Sequence, residues 1–65
     1  MFLTMIPVNS TAIRAVGYDG HTLTVKFHTG RTYDHPGVPE AVVHGLINAS
    51  SIGWYYNRYI RGRYR

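Results

Sequence analysis

Leu23 to His28 (L-T-V-K-F-H) alternates apolar and polar residues without a fault. Leu23, Val25 and Phe27 point one way, and Thr24, Lys26 and His28 the other. This is the period of a strand with one buried face. Turn signals bracket it, Asp19-Gly20 before and Thr29-Gly30 after. The chain is therefore committed to an antiparallel meander at its centre. Ala12 to Tyr18 (A-I-R-A-V-G-Y) supplies the preceding strand. A two-residue or a four-residue loop at Asp19-Gly20 gives the same parity, so Val16 and Tyr18 join the face of Leu23, Val25 and Phe27. Arg14 falls on that apolar face too. It must lie at the sheet rim, or the strand is bulged there.

After Thr29-Gly30 comes R-T-Y-D-H, Arg31 to His35. A two-residue loop would turn Tyr33 to solvent. A three-residue loop, His28-Thr29-Gly30 with Gly30 left-handed, sets Tyr33 and His35 beside Val25. The second arrangement is preferred because a Tyr among core strands is better buried. Tyr33 is thus expected to be mostly buried near Val25 and Phe27. Met1 to Asn9 reads as a loose lead-in, within which Met5-Ile-Pro-Val is an edge segment laid over the core.

Pro36-Gly37 ends the third strand. Pro39 suits the first helical position, with Glu40 at the positive helix start. A first helix is expected from Pro39 to Ala49. Val38, Val42, Leu46 and Ala49 form its stripe, with Val43 and Ile47 alongside. Ser50-Ser51 re-caps the chain for a second helix ending near Arg61, with Gly62 as its C′ residue. On that helix Ile52, Tyr55, Tyr56, Tyr59 and Ile60 follow one apolar stripe. Trp54, Arg58, Arg61 and, if the helix ran on, Arg65 fall on the opposite side, so Trp54 is expected to be exposed. Arg63-Tyr64-Arg65 forms a short basic tail. The fold class is α+β: a three-stranded antiparallel β-meander followed by two short helices packed on one face. One domain spans 1–65, with its core at about residues 5–62.

Sixty-five residues without cysteine cannot be held by disulfides, so packing carries the stability. No segment approaches the length of a membrane span, the apolar start is too short for a signal peptide, and cysteine absence fits a reducing cytosol. A cytoplasmic protein is the expectation. The net charge is +4, with six Arg to one Lys. Arg forks onto phosphate and stacks on bases. It also suits an acidic protein surface.

The last sixteen residues, Ser50 to Arg65, hold one Trp, four Tyr and four Arg and no acid. The candidate binding set is Trp54, Arg58, Arg61, Arg63, Tyr64 and Arg65. The bland account of Trp54 is a surface cation–π pair with Arg58, and that of the arginines a solvated basic face. The Tyr stripe reads as core. His21, His28 and His35 recur every seven residues but lie on separate strands or turns, and His44 stands apart. No metal site is expected, and turn and surface histidines account for them. Asp19 belongs to its turn and Glu40 to its helix start. No nucleophile–base–acid set suggests itself, and no cofactor is expected.

The order I-x-A-V-G-Y-D (Ile13 to Asp19), L-x-V-x-F-x-x-G (Leu23 to Gly30), Tyr33, Val38-Pro39 and S-x-G-x-Y-Y-N-x-x-I-R (Ser51 to Arg61) resembles the KTSC domain. That family occurs at the C-terminus of some lysyl-tRNA synthetases and as short bacterial and phage proteins. The likeness runs from about Met5 to Tyr64. The family's central Tyr-x-Tyr stands here as Tyr33-Asp34-His35, so no role of its second Tyr carries over. The resemblance implies a non-catalytic stand-alone binding domain, for which RNA binding has been suggested, and supplies no catalytic residue. The leading expectation is a module binding RNA or single-stranded nucleic acid, the arginines on phosphates and Trp54 and Tyr64 on bases. The alternative is a phage-type regulator that docks on an acidic patch of a host protein such as RNA polymerase.

Overall fold

The computed structural model describes residues 5–64. Four strands form one antiparallel sheet in the order β1-β2-β3-β4: Met5–Pro7, Ile13–Tyr18, Leu23–Phe27 and Thr32–His35. Helix α1 follows at Glu40–Ile47 and α2 at Ile52–Tyr55, which runs into a π-helical turn at Tyr56–Ile60. The α+β class and the two helical segments match expectation. The three-strand count does not. Met5–Pro7, read as a segment laid over the core, pairs instead with β2 through Met5↔Gly17, Ile6↔Val16 and Pro7↔Ala15. Pro7 is tolerated because this is an edge strand with a partner on one side only. Residues 1–4 of the lead-in lie outside the described residues.

The meander forms as its turns dictate. Tyr18 pairs with Leu23, so the first loop has four residues. Its anchor is Asp19, whose Oδ1 accepts from the N–H groups of Thr22 at 2.6 Å and His21 at 2.9 Å. Those two donors, Thr22 first, hold the Asp19 carboxyl below its usual range. Gly20 takes φ 94°, which a residue with a Cβ adopts only under strain. In the second turn the Phe27 N–H donates to the Arg31 carbonyl at 2.9 Å, and Gly30 is left-handed at φ 95°. That is the three-residue loop, and Val25 accordingly faces Tyr33.

The conflict at Arg14 is resolved by a bulge. Ala15 pairs with Lys26, but Ile13 pairs with Phe27, so Arg14 is the extra residue. The bulge turns Ile13 fully inward and leaves Arg14 exposed.

Ile13, Val16, Leu23 and Val25 from the sheet meet Val38, Val43 and Leu46, and then Ile52, Tyr56 and Ile60 from the second helical segment. Helix α1 is shorter than expected; of the residues assigned to its apolar side Val38, Val43 and Leu46 are buried, and Val42 packs against the core from its margin. Tyr18 secures the approach to this helix by donating its hydroxyl to the Val38 carbonyl. The two helices meet closely at Gly45. A methyl group built there would lie 2.8 Å from Tyr55 Cζ.

Gly45→Ala tests that approach. Helix propensity alone favours alanine by roughly 1 kcal/mol. Forcing a rigid ring aside in a packed interface costs about 1–3 kcal/mol. Thermal melting is expected to show a lower Tm for Gly45→Ala, and a smaller deficit when Tyr55→Leu is made in the same chain.

A candidate anion-binding cleft beside the fourth strand

Ser51 caps α2 with extended backbone and accepts from the Trp54 N–H at 3.4 Å. One turn later the hydrogen bonding changes to i→i+5, and the Arg61 N–H reaches the Tyr56 carbonyl at 2.9 Å. This change redistributes the side chains. In an α-helix Tyr56 and Arg61 would stand about 140° apart, at about 100° per residue. The wider turn brings Arg61 round to the side of Tyr56, and both line one cleft. Ile52, Tyr56 and Ile60 stay buried as expected. Tyr59, assigned to the same stripe, is swung out to 39% exposure, and Tyr55 is half-buried.

The cleft has a volume of about 600 Å³. The β3–β4 side supplies Arg31, Tyr33 and His35; the helical side supplies Tyr56, Asn57 and Arg61. Its floor is a hydrogen-bonded relay. His35 is 8% exposed and Tyr56 5% exposed. His35 Nδ1 donates to the Tyr64 carbonyl at 2.6 Å, since a carbonyl can only accept. Nε2 of the neutral ring then accepts from the Tyr56 hydroxyl at 2.8 Å. One buried side chain thereby ties β4 to the helix and to the C-terminal segment. The description of the histidines as turn and surface groups holds for His21, His28 and His44, which are exposed, but not for His35. Its place on the core face beside Val25 gave the signal.

Tyr33 departs from expectation in degree. It sits on the core side opposite Val25 and meets Phe27 edge-on at 5.6 Å, yet it is 44% exposed. Strand β4 is the sheet's edge, and the cleft opens over it. Arg31 Nη1 donates to the Tyr33 hydroxyl at 3.3 Å. That bond, more than the Coulomb effect of the same group, raises the Arg31 pKa further, on a side chain that is charged at any ordinary pH. Across the cleft Arg61 Nη1 donates to Asn57 Oδ1 at 3.4 Å. Among the described residues neither arginine has a carboxylate partner; the one ion pair joins His44 and Glu40. Asp34 also lines the cleft, but its Oδ1 accepts from the Thr24 hydroxyl at 2.7 Å. Two uncompensated guanidinium groups beside a half-open Tyr ring can receive an anion joined to a planar ring.

The structure divides the residues singled out from the sequence. Arg61 and Tyr64 line the cleft. Tyr64 is not part of a free tail: it is half-buried, packs against the core and has its carbonyl on His35. The carbonyl of Ile60 accepts from Gly62, Arg63 and Tyr64, which folds the chain back after the helix. Gly62 follows the helix as expected but is not left-handed; the positive-φ glycines among the described residues are Gly20, Gly30 and Gly37. Arg63 is exposed and stands outside the cleft. Trp54 is 59% exposed, as expected, but lies away from the cleft and meets Tyr59 edge-on at 6.0 Å. Arg58 stacks over Tyr59 at 5.9 Å and not over Trp54, because the π turn has moved Tyr59 between them. Arg65 lies outside the described residues. Arg31, Tyr33, His35 and Tyr56 complete the cleft and were not in the candidate set. Among the described residues no three of His, Asp and Glu converge to hold a metal, and no helix is long and apolar enough to cross a membrane.

Burial raises the Tyr56 pKa above its usual value; Arg61 opposes that shift and Tyr33 adds to it. The folded chain thus holds this proton more tightly than the unfolded one. Stability is fully present below about pH 10, the ordinary value for Tyr, and falls as pH climbs past it. Tyr56→Phe is expected to cost about 1–3 kcal/mol near neutrality, because His35 Nε2 loses its donor. It is also expected to flatten the alkaline decline. Denaturant unfolding at a series of pH values reads both effects.

A family model for the KTSC domain matches residues 9–64 of this chain, so the edge strand β1 lies ahead of the matched segment. A protein of Tsukamurella paurometabola is 40% identical over 63 residues, covering 94% of each chain. A lysine–tRNA ligase of Nostoc punctiforme is 39% identical over 44 residues, which make up 68% of this chain but 8% of the ligase. The crystal structure of a KTSC domain protein from Yersinia pestis superposes with a TM-score of 0.93 at 30% identity, over 98% of this chain and 93% of that one.

Proposed function

This chain belongs to the KTSC domain family, and from that premise we propose that it is a non-catalytic module that binds RNA or another single strand. The observation that carries the reading is the cleft, where Arg31 and Arg61 have no carboxylate partner among the described residues and stand beside the half-exposed Tyr33. Phosphate groups take the guanidinium forks, and an unstacked base lies against the Tyr33 ring. The exposed Trp54, with Arg58 and Arg63 near by in the chain, offers a second place for a base and its phosphates. Single strands fit better than duplex because their bases are free to splay onto aromatic rings. The relative named a lysine–tRNA ligase supports the reading, since an enzyme named for a tRNA has use for an appended RNA-binding module.

Titration of the protein into labelled single-stranded RNA at several salt concentrations tests this. The log–log salt slope is expected to be about −0.7 per phosphate contact. Arg61→Ala weakens binding to all sequences alike and flattens the slope by about one contact. Trp54→Ala costs roughly 1–3 kcal/mol of stacking and leaves the slope nearly unchanged. Both variants keep the fold, since both side chains are exposed. Absence of wild-type binding at low salt would sink the reading and turn the search to an acidic protein partner.

A further inference from the structure

We propose that the cleft receives the end of a strand: a terminal nucleotide whose phosphate is a monoester, held between Arg31 and Arg61 with its base on Tyr33. The inference rests on the nucleic-acid reading above and specifies what occupies the site. Size comes first. A cleft of about 600 Å³ is in the range that encloses a single small-molecule ligand, roughly 300–1,000 Å³. It has room for one nucleotide.

Charge then selects the kind of nucleotide. Arg31 and Arg61, both charged at any ordinary pH, line the space together with Asp34, whose Oδ1 is engaged by the Thr24 hydroxyl, so the lining keeps a net positive charge. An internal phosphodiester carries a single negative charge. A phosphate monoester carries roughly −1.5 to −2 at pH 7 and presents three acceptor oxygens. The monoester is therefore drawn more strongly into this net-positive cleft, and it has oxygens enough to accept charge-assisted hydrogen bonds from both guanidinium groups. A diester has the lower charge and only two free oxygens to share between them.

The floor supplies a third argument. His35 has both ring nitrogens engaged, one by the Tyr64 carbonyl and one by the Tyr56 hydroxyl. The Tyr56 hydroxyl is neutral near pH 7, and burial raises its pKa further. Neither group offers a free anionic oxygen, so the floor does not repel the ligand. The arginines already lean on neutral acceptors, Tyr33 and Asn57, which hold them at the two sides of the cleft. A phosphate replaces weak bonds at 3.3 Å and 3.4 Å by stronger ones.

Both ends of a strand can bear such a group, and the experiment separates them. Four RNAs of one short sequence are titrated into the full chain: 5′-phosphate, 3′-phosphate, both ends hydroxyl, and a 5′-phosphate capped as a methyl diester. One of the two monoester strands is expected to bind roughly tenfold to hundredfold more tightly than the hydroxyl-ended strand, the range of a lost hydrogen bond to a charged group. The capped strand should fall back to the hydroxyl-ended level. Arg31→Gln and Tyr33→Ser should erase the preference while retaining residual binding, with melting curves confirming that each variant is folded. Arg14→Gln, outside the cleft, should leave the preference intact. Equal binding of all four RNAs would overturn the terminal-phosphate proposal and leave strand binding standing. Binding of none would remove both. A preference that survives Arg31→Gln and Tyr33→Ser in folded protein would place the phosphate elsewhere and also overturn it.

Discussion

The arrangement beside β4 depends on one imidazole. His35 spends one ring nitrogen on the Tyr64 carbonyl and the other on the Tyr56 hydroxyl. A fold this small buries a limited fraction of its surface, so segments after the last helix are usually loose. Here the segment after Ile60 is fastened at a point where water is largely excluded. A buried hydrogen bond costs little when made and much when broken, which makes the attachment directional as well as strong. Tyr56 also meets Phe27 edge-on at 5.3 Å, so the relay is continuous with the apolar core. The floor of the cleft and the end of the chain are therefore one unit.

The second controlling feature is the wide helical turn at Tyr56–Ile60. A regular α-helix would give a clean division between an apolar stripe and a Trp–Arg side. The inserted i→i+5 bonding breaks that division. It pushes Tyr59 outward between Trp54 and Arg58 and draws Arg61 towards the sheet. Tyr55, Tyr59 and Trp54 then form an external aromatic group, with Tyr55 and Tyr59 centroids 4.7 Å apart. One local change in hydrogen bonding thus creates two surfaces from a single amphipathic pattern.

Much of the sheet was legible because its signals are local and redundant. Leu23 to His28 fixes a strand by alternation, and the parity argument placed Val16 and Tyr18 without knowledge of the loop length. Arg14 announced a rim position or a bulge by being charged where its neighbours are apolar. The three-residue turn followed from the preference of Tyr33 for the core side. Strand β1 was less legible: the short run Met5–Pro7 with its proline carries little strand signal, and its pairing depends on what β2 offers. The helical wheel placed Trp54 correctly but failed at Tyr59 and Arg61, because residue spacing assumes one period throughout and nothing in Y-N-R-Y-I marks a change of period. The cleft is non-local. Arg31 and Arg61 are far apart in the chain, and only the return of β4 against the helix brings them to one opening.

The edges of the sheet bear on solution behaviour. An antiparallel sheet of four strands ends in two margins, each with main-chain groups free to recruit a strand from another molecule. At β1 the described margin, Met5–Pro7, includes Pro7, which has no N–H to offer. At β4, Val25 pairs with Tyr33 and Leu23 with His35, while Thr32 and Asp34 alternate with them along the strand. A newcomer pairing along β4 would have to accommodate the Asp34 carboxylate within a ladder of four residues. Both margins thus discourage sheet-to-sheet growth, one by a missing donor and one by a charge. A basic chain rich in tyrosine can in this way keep an open cleft beside an exposed strand without inviting its own kind to fill it.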